Sequence, residues 1–136
     1  MKHEIIHSTD TSECLAYQIA RVVYAETGAV SLQLVEALTS MIKNISDKFG
    51  VPVGEIITDS EIFTVLSADS PHHARLNADC ATRGFQMCVR VAKRMLSGAL
   101  PDTCYGAVRC HHGDVIPQWS VSRGYIADVD GMLFYL

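Results

Sequence analysis

The sequence predicts an α+β domain, with a helical lobe followed by a small antiparallel β-sheet that closes on a C-terminal hairpin. Two observations carry this. Apolar residues recur at helical spacing through the N-terminal part of the chain, whereas the last eleven residues hold two short apolar runs around Asp130-Gly131, a pair suited to a type I′ turn. Helices first and strands last is the order of a fold that segregates the two kinds of structure. With 136 residues, a single domain over 1–136 is expected.

Taken in order, Asp10 is the expected N-cap of a first helix, with Glu13 in the capping-box position. Leu15, Ile19, Val22 and Val23 fall on one face of that helix, which runs to Glu26 and is ended by Thr27-Gly28. Ser31 caps a second helix, with Val30 and Val35 placed as a hydrophobic staple. Its apolar face is Leu34, Leu38, Met41, Ile42, Ile45 and Phe49, and Gly50 with Pro52 stops it. Val53 to Ile57 suits one helical turn, and Ile62 to Leu66 suits a short strand or a buried loop. Ser70-Pro71 reads as the start of a long helix reaching Ser97, bent at Gly84. Tyr105 to Cys110 is the expected third strand beside the Ile126–Tyr135 hairpin.

Composition narrows the function. Hydrophobic residues at 49% and charged residues at 19% make a globular chain, and a net charge of −4 without a basic stripe argues against nucleic acid as partner. No segment is long and apolar enough to span a bilayer, and the N-terminus shows no apolar run of signal-peptide length. The five cysteines match no zinc-ribbon or Cys-x-x-Cys spacing; Cys80 and Cys88 are too far apart on a helix to bridge, and free buried thiols are expected.

The candidate for chemistry is Glu26. It lies three and four residues beyond Val23 and Val22, so it continues the buried stripe of the first helix. Desolvation and the negative end of the helix dipole both favour the protonated form of a carboxyl so placed. A protonated acid is what glycosidic cleavage requires, because the leaving oxygen must receive a proton. The competing interpretation is a helix-end residue with its head in solvent. Cys110-His111-His112-Gly113-Asp114 is the densest set of potential ligands, but neighbouring strand residues point to opposite faces, so one of His111 and His112 is expected to line a groove and the other to be solvated. Neither a metal site nor a cofactor is assigned. Thiol chemistry at Cys110 would need a neighbouring His and a lowered thiol pKa, and nothing local signals the latter. Trp119, Phe63 and Tyr105 are read either as core or as apolar faces for sugar rings.

Tyr24-Ala25-Glu26 at a helix end, Glu61-Ile62-Phe63, Gly106 to His111, Pro117-Gln118-Trp119 and the closing hairpin together resemble the cell-wall hydrolase family of spore-cortex-lytic (SleB-type) enzymes. The likeness runs from about Cys14 to Tyr135. It implies a lysozyme-like fold and a lytic transglycosylase that cuts peptidoglycan between N-acetylmuramic acid and N-acetylglucosamine. Glu26 takes the place of the family's catalytic acid, with Tyr24, Phe63, Tyr105, His111 and Trp119 as substrate-binding residues. The implied partner is the peptidoglycan glycan strand, the chain is read as a monomer, and action is expected at the cell wall, in the periplasm or as a released phage lysin. The chain departs from the family where Thr27-Gly28-Ala29 follows Glu26 and where Cys110 replaces an aromatic residue. A water-using muramidase would need a second carboxylate roughly 5–10 Å from Glu26, for which Asp59, Glu61, Asp69 and Asp114 are candidates. A non-catalytic glycan- or protein-binding domain, and a metal- or thiol-dependent enzyme centred on Cys110, His111 and Asp114, are the readings from other classes.

Overall fold

The computed structural model describes residues 14–136. The expected cap at Asp10 and capping box at Glu13 lie outside the described residues. Among the described residues four helices precede a three-stranded antiparallel sheet: α1 (Leu15–Thr27), α2 (Leu32–Phe49), the single turn α3 (Val53–Ile56), α4 (Arg83–Leu96), then β1 (Arg109–His112), β2 (Ala127–Val129) and β3 (Met132–Tyr135). Among the described residues no helix is long and apolar enough to cross a membrane.

The stripe of α1 is buried from Ala16 through Ile19, Val22 and Val23 to Glu26. Gly28 ends the helix at φ 64, with its N–H on the Tyr24 carbonyl at 2.7 Å. The positive φ favours glycine there, and an added Cβ would lie 3.0 Å from the Arg75 guanidinium, which would have to give way. That same Arg75 donates to the Ala25 carbonyl at 3.2 Å, placing a cation at the negative end of the helix. Ser31 caps α2 by accepting from the Leu34 N–H at 3.1 Å. Val30 is nonetheless exposed while Val35 is buried, so the expected staple does not cover Val30.

The predicted long helix from Ser70 to Ser97 is instead two pieces. A 3₁₀ segment occupies His73–Asn77, the chain turns at Asp79, whose carboxylate accepts the Ala81 N–H at 2.9 Å, and α4 starts afresh under the Thr82 cap. Gly84 is no bend. A Cβ there would sit 3.0 Å from Ala29 Cβ and 3.1 Å from Tyr24 Cε1, so glycine lets the start of α4 approach the end of α1. Ile62 to Leu66 forms no strand but ends in a 3₁₀ turn over Thr64–Leu66.

The sheet has the order β1-β3-β2. Asp130 (φ 48) and Gly131 (φ 90) both occupy the left-handed region, as the hairpin turn requires. β1 begins at Arg109, later than expected, because Tyr105 (φ 57) and Gly106 (φ 81) belong to a turn. The Asp102 carboxylate organises it by accepting the Cys104 N–H at 3.0 Å and the Gly106 N–H at 2.7 Å. Cys110 pairs with Phe134 and His112 with Met132, both partners being buried, so the Cys110–His112 side of β1 faces the core shared with the helices.

Candidate active site

The last turn of α1, the 3₁₀ turn after Phe63 and the edge strand β1 meet at a cleft of about 470 Å³. Glu26 sits in its lining at 6% exposure. Its Oε2 accepts the backbone N–H of Val65 at 3.0 Å, and its Oε1 lies 3.2 Å from His112 Nε2. Val65 is itself fixed from the other side, since His73 Nδ1–H donates to its carbonyl at 2.9 Å. Oε2 is thus committed to an amide donor, which leaves Oε1 as the oxygen that carries a proton when Glu26 holds one.

His112 is held protonated to higher pH than an ordinary histidine. The hydrogen bond to Glu26 is the chief cause, helped by the charges of Glu26 and Asp114; burial and the Arg75 cation oppose it.

One wall of the cleft is aromatic. The ring of His111 stacks on Tyr135 at 5.4 Å and meets Trp119 edge-on at 5.6 Å, while Trp119 meets Tyr135 edge-on at 5.0 Å. His111 Nδ1 faces the His112 carbonyl at 2.7 Å and Nε2 faces the Tyr135 hydroxyl at 2.8 Å. A carbonyl only accepts, so Nδ1 carries the hydrogen, and in a neutral ring Nε2 accepts from the tyrosine. Arg109 lies over the Trp119 ring, its guanidinium carbon 4.1 Å from the centroid.

Comparison with protein families, with curated proteins and with solved structures finds no match to this chain. Its chemistry has to be read from its own residues.

Of the six residues singled out from the sequence, the structure brings Glu26, His111 and Trp119 to the cleft. The other three lie outside its lining. Tyr24 packs on Phe85 with ring centroids 6.1 Å apart, because residues two apart on a helix point in nearly opposite directions and Glu26 already faces the cleft. Phe63 is a core side chain at 1% exposure. Tyr105 is 74% exposed on its turn and borders a separate depression with Gln33 and Asp128. The expectation that one of His111 and His112 would be solvated is also corrected: both line the cleft, because β1 is an edge strand and the cleft wraps around it.

The residue that touches Glu26 is His112, which the sequence offers only as an alternative to His111. Alternation was the available signal: His112, two residues beyond Cys110, shares its face of β1. Among the four candidate second carboxylates, Glu61 alone lines the cleft. Among the described residues no three or more His, Cys, Asp or Glu side chains are grouped to hold a metal ion. The five cysteines form no disulfide with one another. Burial, and then the charge of Glu26, raise the Cys110 thiol far above its ordinary value, which makes it a poor nucleophile.

Proposed function

We propose that this chain is a peptidoglycan-cleaving enzyme with a lysozyme-like architecture, and that it works as a lytic transglycosylase with Glu26 as its single acid and base. The observation that carries the reading is a carboxyl buried in an open, aromatic-walled cleft, with one oxygen anchored to the Val65 amide and the other facing His112.

The steps follow from that geometry. Glu26 donates its Oε1 proton to the bridging glycosidic oxygen as the bond to the muramyl anomeric carbon breaks. The resulting carboxylate keeps the Val65 N–H, so the new charge meets a backbone donor already in place. Glu26 then takes the proton of the muramyl 6-hydroxyl as that oxygen bonds to the anomeric carbon. A 1,6-anhydro end results, no water is consumed, and the carboxyl regains its starting state. Trp119 and His111 offer apolar edges to the sugar rings. The resemblance to the spore-cortex-lytic family adds to this reading through Glu26 and the Gly106-to-Trp119 segment.

Glu61 supports a second reading, a water-using muramidase, because it brings another carboxylate to the same cleft. Mass spectrometry of soluble products from purified peptidoglycan separates the two. Anhydro-ended muropeptides from the wild type and none from Glu26→Gln support the transglycosylase. Reducing ends indicate the muramidase, and absence of products from the folded wild type overturns both in favour of a binding domain.

A further inference from the structure

Arg109 is the second conspicuous charge of the cleft, and nothing in the mechanism above uses it. It is half-buried at the start of β1, in the cleft lining, with its guanidinium over the Trp119 ring. Among the described residues its guanidinium makes no hydrogen bond and no ion pair, and the Trp119 ring is its one partner. A guanidinium carries five N–H donors in a planar fork. Its place over the indole holds the guanidinium at the cleft wall, with its donors not yet engaged. Leaving such a group partly desolvated without an acceptor is costly, and the cost is offset once a planar anion accepts from the fork.

We propose that Arg109 anchors a carboxylate of the bound glycan, so that the cleft selects anionic strands over neutral ones. The inference rests on reading the cleft as a glycan groove. Two groups of peptidoglycan supply this chemistry: the lactyl carboxyl of the muramyl sugar, free once its peptide is removed, and the carboxylates of the stem peptide itself. Both are planar and accept a bidentate pair of hydrogen bonds. Lys cannot substitute fully, because an ammonium neither stacks as a plane nor donates in parallel.

Binding tests this without depending on turnover. Affinity is measured in the Glu26→Gln background for three soluble glycan preparations: strands with stem peptides, strands stripped by an amidase, and strands whose carboxylates have been converted to neutral amides with carbodiimide and ammonia. The expected result is roughly tenfold or greater preference for a carboxylate-bearing strand over the amidated one. Adding Arg109→Gln should erase that preference, and Arg109→Lys should restore only part of it. Preference for stripped strands assigns the lactyl carboxyl, and preference for stem-bearing strands assigns the peptide. The same preference in the Arg109→Gln protein overturns the proposal, as does failure of all three strands to bind. Product release by the wild type is followed separately, so a cleft that binds anionic strands but cuts none overturns the cleavage reading alone.

Discussion

Replacing Glu26 separates a catalytic carboxyl from a structural one, because its two roles respond differently to two substitutions. In Glu26→Gln the side chain keeps its shape and an amide oxygen for the Val65 N–H, now met at 3.0 Å by Oε2. The contact to His112 loses its charge but can persist as a neutral hydrogen bond. Stability should therefore change by no more than about 1 kcal/mol. In Glu26→Ala both acceptors vanish, and the N–H of Val65, a residue 1% exposed, has no partner. That costs about 1–3 kcal/mol. Activity should follow the opposite logic. Neither variant can donate a proton, so both should lose about 10²–10⁴-fold in the rate of muropeptide release, equivalent to about 3–5 kcal/mol of barrier.

The assay is the initial rate of soluble muropeptide release beside a denaturant unfolding curve for each protein. A folded Glu26→Gln enzyme that cleaves within about threefold of wild type would refute the reasoning, since no acid of that strength remains at the site. Equal activity of Gln with loss only in Ala would identify Glu26 as a support for the Val65 turn.

Three further outcomes are expected. Because His112 binds its proton more tightly folded than unfolded, the stability it adds is complete below its ordinary value of 6.5 and disappears as pH rises through the raised value; the difference in unfolding midpoint between wild type and His112→Gln should shrink over that window, and a difference that grows with pH would contradict the pairing. Ser31→Ala, which removes the acceptor of the Leu34 N–H and a contact with the Asp130 carboxylate, should cost about 1 kcal/mol in an unfolding titration. Alkylation at neutral pH should modify the exposed Cys14 first and leave cleavage intact; rapid labelling of Cys110 with loss of activity would revive the thiol mechanism.

Local chemistry made some of this fold legible. The spacing of Leu15, Ile19, Val22 and Val23 aimed Glu26 inward, Ser31 marked a cap, and Asp130-Gly131 marked the hairpin, each through interactions within a few residues. What escaped was decided across the chain. Helical periodicity over 70–97 does not reveal that Asp79 and Thr82 offer the backbone a turn and a fresh cap, nor that Gly84 is needed where Ala29 and Tyr24 press on it. The resemblance puts Tyr24 in the site beside Glu26, but residues two apart on a helix occupy different faces and Tyr24 packs on Phe85. His112 and the Val65 amide reach Glu26 across 86 and 39 positions, a distance over which no periodicity speaks.

The positions where this chain breaks ordinary rules are not scattered. A carboxyl is buried at the end of an apolar stripe, a histidine is placed on the inward face of an edge strand, and a guanidinium is half-buried without an acceptor. Each is unfavourable as packing, since apolar residues of similar size would be covered at lower cost in desolvation. All three line one cleft. If they were accidents of a tolerant fold, they would be expected at separate places, each relaxed by its own local partner. Convergence on one opening instead suits a site in which stability has been given up for charge at a chosen point. The charges are also divided in a useful way. On the proposed reading Glu26 serves proton transfer and Arg109, beside Trp119, serves an anion, so the same cleft would separate the chemical step from recognition of its ligand.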